Sequence, residues 1–283
     1  MTAVLEAPEV APPTRARRSA NGGGLAGPSR LGLGIATLWL SLLVLIPLSA
    51  IVVRTTSGGW EQFWHTLTNP QTAASLRLTI GEAVIVTLVN VVMGTLIAWV
   101  LVRDRFWGKS VLDVLIDVPF ALPTIVAGLV LLALYGPRSP VGVDVANTRT
   151  AVFLAFLFVT LPFVVRTVQP VLAELDRDAE EAAASLGASR LVVFRRIILP
   201  ALAPAITSGA ALSFARAISE YGSLVLLSGN LPMRTEVSSV RILTYVENGD
   251  EASAAAVATI LLLVALVVIV ALDLLQRRVA RRG

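Results

Sequence analysis

Six runs of apolar residues divide the chain, at approximately 31–54, 79–102, 111–136, 150–170, 200–228 and 253–274. Each is long enough to cross a hydrocarbon core about 30 Å thick, which takes about 20 helical residues. The runs lack the apolar-polar alternation of strands, and open-edged or irregular backbone facing lipid would leave its amides unsatisfied. The pattern therefore predicts an all-α, polytopic membrane protein with six transmembrane helices. Polar and charged residues gather between the runs, most densely from Val171 to Pro200.

Composition agrees with this pattern. Of 283 residues, 55% are hydrophobic and 15% charged, too little polar material to cover a soluble globule of that size. Residues 1–30 are rich in Ala, Pro, Gly and Ser, which predicts a disordered tail. A signal peptide is the alternative, but the apolar run after it exceeds the usual h-region of about 7–15 residues and reads as a retained first helix. Residues 31–274 form the membrane domain and 275–283 a short basic tail.

The formal net charge of +4 reflects topology. Arg15, Arg17, Arg18 and Arg30 precede the first run. Arg103, Arg105 and Lys109 follow the second, Arg177, Arg190, Arg195 and Arg196 follow the fourth, and Arg277, Arg278, Arg281 and Arg282 follow the sixth. The opposite loops hold only Arg54, Arg77, Arg138, Arg149, Arg234 and Arg241. The positive-inside rule then places both termini and the 171–200 loop in the cytoplasm, in a cytoplasmic (inner) membrane. No basic patch is interleaved with aromatics, so nucleic acid is not an expected partner.

The 171–200 loop reads VLAELDRDAEEAAASLGASRLVVFRRIILP. Glu174, Asp176, Asp178, Glu180 and Glu181 crowd the start of an alanine-rich helix, where acids complement the helix dipole. Gly187 stands where a left-handed ending is needed, Ser189 can cap a second short helix, and Pro200 fits the first turn of the fifth span. Two short helices meeting at a glycine elbow can pass a push into a span.

These residues resemble the EAA pattern of bacterial binding-protein-dependent ABC importer permeases: EAA, three residues, Gly, nine residues, Ile-x-Leu-Pro. The matching positions are Glu181, Ala182, Ala183, Gly187, Ile197, Leu199 and Pro200. The resemblance implies a type I, MetI-like permease fold. It also implies an ATPase-coupling loop docked on a separate ABC ATPase dimer that binds ATP and Mg, a second related permease, and an external binding protein. No cofactor is expected on this chain. Gly108-Lys109-Ser110 is not a phosphate loop, because Arg103 occupies the position of its first glycine.

Three further runs, LIAWVLVRDRFWGKSVLDVLIDVPFALPTIVAG, LPFVVRTVQPVL and FARAISEYGSLVLLSGN, are similar to sulfate/thiosulfate permease subunits of the CysT type and less closely to molybdate permeases. Ser219 departs from the glycine common in that subgroup. The resemblance implies import of sulfate or thiosulfate, with molybdate or tungstate the alternative solutes.

Two places inside spans carry candidate pathway or gate chemistry. Asp117, Pro119 and Pro123 interrupt the third run, and a broken helix can aim free amides, with Thr124 beside them, at an oxyanion; a packing kink is the other reading. Arg216 and Glu220 share a face of the fifth run beside Tyr221, either as an outer gate or as an ion pair holding a helix contact. Arg166 is expected to snorkel to the interface, with attraction of anions the alternative.

Zero cysteines and a lone histidine, His65 in the first outer loop, exclude a thiolate metal site, a two-histidine zinc site and a Ser-His dyad within a span. An intramembrane enzyme is therefore not expected. An ion-coupled secondary transporter would show paired unwound segments related by an internal repeat, and the sequence shows no such repeat.

Overall fold

A computed structural model of the chain describes residues 30–280. The predicted disordered tail falls almost wholly outside that range. The chain divides into two units, residues 1–47 and 48–283. In the first, α1 (Arg30–Leu40) gives way to a five-residue π-helical stretch, Ser41–Leu45, just before Pro47.

α2 (Ile46–Ser57) lies mostly in the second unit, where it ends near the start of the last helix, with the hydroxyls of Thr55 and Thr259 2.8 Å apart. α3 (Gly59–Thr68) was not foreseen, and α4 (Pro70–Arg103) begins nine residues before the predicted second span. The start of α4 follows from local signals. Asn69 caps α4, its Oδ1 accepting from the amides of Gln71 and Thr72, and Pro70 takes the first helical position where its missing N–H is harmless.

The third predicted span is two helices, α5 (Lys109–Ala121) and α6 (Thr124–Tyr135), bent by 119° at Leu122-Pro123. Pro123 disfavours the helical region for Leu122, whose ψ is 134°, so the helix stops there. α7 (Arg149–Glu174) is the central helix, packed against α4 and α10. Then come α8 (Arg177–Ser185), α9 (Arg190–Val193), a π-helical stretch Phe194–Ile198, and α10 (Leu199–Ile218).

The run from Arg190 to Ile218 is one span of 29 residues, so the helix after Gly187 is the start of the fifth span and not a separate short element. The π turn lies immediately before Pro200, whose ring would clash with the carbonyl four residues back in a regular helix. The predicted span to residue 228 breaks at Ser219–Tyr221, after which come α11 (Gly222–Leu227) and α12 (Ser238–Glu247). α13 (Glu251–Ala280) carries helix through 275–280, where a tail was expected, because nothing in LLQRRVA breaks one.

By length and composition five helices of the described residues qualify as membrane spans, and six if the bent α5–α6 pair is one. Two apolar clusters fill the second unit, one around Phe156, Phe214 and Leu224 and the other around Val165, Leu172 and Leu202. Between them Asn90 donates to the hydroxyls of Thr160 (2.7 Å) and Ser213 (3.1 Å), tying α4, α7 and α10 through a fully buried amide.

Candidate functional site

The α8 loop follows from its residues. Asp176 caps α8 by accepting from the Asp178 amide at 2.9 Å, and Asp178 and Glu180 occupy the first turn. Gly187 has φ +84°, a left-handed conformation that closes α8 while the amides of Gly187 and Ala188 return to Ala184 and Ala183. Ser189 sits at the cap position of α9 but its side chain makes no capping bond.

Within this loop the matched residues divide between two faces. Glu181, Ala182 and Gly187 are exposed, as is Leu186 at 89%, while Ala183 packs against the core. Ile197 lies in the π turn and also packs inward, and Leu199 and Pro200 face outward at the head of α10. Glu180, beside the matched Glu181, pairs with Arg103 at the end of α4. Arg103 also lies over Trp99, whose ring meets Phe194 edge-on at 5.9 Å. A cavity of about 620 Å³ opens between these residues and α8, walled by Trp99, Ala184, Leu191 and Phe194. The helix that carries the EAA residues is thus fastened at one edge to α4 and at the other, through Gly187, to the fifth span.

Both arginines within spans are paired. Arg166 does not snorkel: its Nε and Nη2 grip both oxygens of Asp117 at 2.7 Å, Nη1 reaches Asp113 Oδ1 at 2.7 Å, and Nη2 also donates to the Asp113 carbonyl. Gln169 joins through Arg166 Nη1 and Asp113. A planar fork facing two carboxylates one helical turn apart has better partners across the helix pair than at the interface. Asp113 went unnoticed in the sequence. Its signal was its position four residues before Asp117 in the same half-span.

Glu220 lies in the break just after α10, with its side chain fully buried. Its Oε1 accepts from both the amide and the hydroxyl of Ser223 at 2.9 Å, Oε2 lies 2.7 Å from Arg216 Nη2, and its carbonyl accepts from Ser239. The Arg216 contact is an ion pair outside hydrogen-bonding geometry. Ser219, at φ −86°, is in a conformation any residue adopts, so serine in place of glycine carries no strain there. Tyr221 is exposed.

The two helix breaks meet. A Cβ on Gly222 would fall 2.1 Å from Thr124 Oγ1 and 2.9 Å from the Ile125 amide, and one on Gly128 would fall 2.6 Å from the Ser223 carbonyl. α6 and α11 therefore touch backbone to backbone. The amides beyond the α5–α6 break do not open freely: those of Val126 and Ala127 bond the Pro123 carbonyl, and Gly222 closes over Ile125. Pro119 lies inside α5, and Pro123 is the cap residue of α6.

Residues 90–282 match the family described as binding-protein-dependent transport system inner membrane component. The chain is 42% identical over 259 residues to the sulfate transport system permease protein CysT of Salmonella typhimurium, covering 89% of this chain and 94% of that one. It is 43% identical over 250 residues to the CysT protein of Synechocystis, covering 86% and 87%. In fold it is similar to a chain of a bacterial alginate ABC transporter solved with its periplasmic protein (TM-score 0.72, 16% identity, 87% and 93% covered). It is also similar to a chain of the inward-facing MetNI methionine ABC transporter (TM-score 0.53, 18% identity, 72% and 96% covered). An α8 elbow running into a span, a broken third span and near-full-length identity of this order lead to one assignment: the chain belongs to the CysT family of sulfate permeases, within the binding-protein-dependent inner membrane components of ABC importers.

Proposed function

We propose that this chain is the permease subunit through which an ATP-driven importer moves sulfate and thiosulfate into the cell, with both termini and the α8 loop on the cytoplasmic side. The observation that carries the reading is the identity to sulfate permeases over nearly the whole of both chains. Orientation rests on the asymmetry of basic residues between the two sets of loops.

On this reading α8 is the contact with an ATPase subunit. Its exposed Glu181, Ala182 and Leu186 offer a small acidic and apolar knob. Displacement of that knob passes through Gly187 into the unbroken helical run from Arg190 to Ile218, and through Glu180 and Arg103 into α4. The other end of that run reaches Glu220 and the junction of the two helix breaks. ATP binding and hydrolysis, with Mg, belong to the partner, and closure of an ATPase dimer would rock this subunit against a second permease. An external binding protein supplies the solute.

Uptake of labelled sulfate and thiosulfate by a strain lacking its own sulfate importers, with this chain expressed beside its neighbouring permease, ATPase and binding protein, tests the reading. Uptake should survive collapse of ion gradients and stop when ATP is exhausted. Restoration of molybdate uptake alone would overturn the solute. Uptake that followed the ion gradients would overturn the coupling.

A further inference from the structure

Six arginines of the described residues have an acidic or aromatic partner: Arg54 with Glu251, Arg103 with Glu180, Arg166 with Asp113 and Asp117, Arg216 with Glu220, Arg277 with Asp273, and Arg241 over Tyr245. Three without one converge on a single cavity of about 330 Å³ at the end of the fold opposite α8. Arg77 comes from α4, Arg149 from the start of α7 and Arg234 from the loop before α12, and none has a carboxylate within 4.0 Å among the described residues.

The loop that presents Arg234 is held rigidly. The Leu231 carbonyl accepts from the amides of Arg234, Thr235 and Glu236, Thr235 donates to the Ser228 carbonyl at 2.6 Å, and Arg149 Nε holds the Arg234 carbonyl at 3.2 Å. Met233, on the cavity wall, is left-handed at φ +63°, a conformation an unbranched side chain adopts only where its surroundings enforce it. After the bond to Arg234, both terminal nitrogens of Arg149 remain available. Arg77, Arg149 and Arg234 are exposed residues on the wall of one cavity, and three guanidinium groups from three elements match an oxyanion with several acceptor oxygens better than they match an apolar ligand. At about 30 Å³ of liquid volume per water, the space takes a small hydrated ion and excludes a folded segment of another protein.

Two carboxylates share the wall. Glu236 is 5% exposed and is engaged by Gln71 Nε2 at 2.8 Å. Glu82 has no cation within 4.0 Å and stands half-buried among the three arginines. It weakens any anion bound there, which suits a site that must pass its occupant on, since conduction needs entry without retention.

We propose that the cavity bounded by Arg77, Arg149 and Arg234 is a low-affinity receiving site for a tetrahedral oxyanion at the outer mouth of the permease, with Glu82 limiting how tightly the ion is held. The solute class and the outward orientation rest on the function proposed above.

The test is equilibrium binding of labelled inorganic sulfate to the assembled transporter purified without its binding protein, run beside uptake by the same complexes with the binding protein restored. Saturable binding should fall about tenfold or more in Arg77→Gln and in Arg234→Gln, each of which removes a charge-assisted contact. Glu82→Gln should bind several-fold tighter while turning over more slowly, a gain that misfolding cannot produce. Arg54→Gln, beside its exposed partner Glu251, should bind as the wild type does. Wild-type uptake of sulfate with unchanged binding in all the cavity variants overturns the site and leaves the transport reading standing. No sulfate uptake, with molybdate binding that depends on the same arginines, overturns the solute and keeps the site. Loss of binding-protein association in the arginine variants with sulfate binding intact would make the patch a protein-docking surface and overturn the proposal.

Discussion

Arg216 and Arg166 are the two arginines placed within spans by the sequence, and each meets carboxylate, but their settings differ. Glu220 opposite Arg216 has no exposed surface, and its second oxygen holds the first turn of α11, so the charge pair and the chain break form one unit. The carboxylates around Arg166 keep 42% and 50% of their side chains exposed, and Arg166 itself lines an open cavity of about 590 Å³ with Lys109 and Gln169. In the first pair the carboxylate is locked into the packing. The other is accessible to a neighbouring subunit, to solvent or to solute and can be exchanged. Burial, more than contact distance, separates a structural charge from a movable one.

The largest expected effect breaks the buried pair. Glu220→Ala leaves Arg216 without its counter-charge and both Ser223 donors unpaired, and should cost about 3–5 kcal/mol, read as loss of monodisperse complex in detergent. Glu220→Gln should recover part of it through Ser223. A Glu220→Ala complex of wild-type thermal stability would erase the contrast. Next comes Gly222→Ala, which forces a methyl onto Thr124 and should cost about 1–3 kcal/mol, seen as a lower melting temperature of the assembled complex.

At the other end, Gly187→Ala places a Cβ in open space, so only the left-handed backbone is penalised, by about 1–2 kcal/mol. That strain should lower sulfate uptake per ATP hydrolysed by the assembled transporter, and Gly187→Asn should restore much of the loss, because asparagine tolerates that conformation. The smallest effect on stability is expected of Arg166→Gln, about 1 kcal/mol given the exposure of the network, with assembly kept but uptake impaired. Arg166→Lys should not restore uptake, since it loses the fork. Disassembly of the Arg166→Gln complex would show that this pair, too, is structural.

The reach of the sequence differs along the same line. Gly187 and the helix before it were legible because a glycine after an alanine-rich, acid-headed run has few other uses. The break in the third span was legible at Pro123 but not at Pro119, which α5 takes up without a break, and its 119° bend depends on what α6 packs against. The start of α4 was also written locally, in Asn69-Pro70, but the drop in hydropathy before residue 79 hid it. α12 was missed because hydropathy falls after residue 228 and the helix is held by contacts such as Ser238 with Thr79, 159 residues away. The partners of Arg166 were missed for the same reason: Asp113 lies 53 residues earlier, and nothing local brings α5 against α7.

The buried amide of Asn90 bears on how the protein is made. Its two acceptors lie 70 and 123 residues further along the chain. At a synthesis rate of about 5–20 residues per second, Asn90 is made about 6 to 25 s before both partners exist. During that interval the amide is either hydrated at the translocon or bonded to something temporary, since lipid offers it nothing. The central three helices therefore cannot reach their final packing in the order of their synthesis, and α4 has to wait for α10 before the middle of the protein closes.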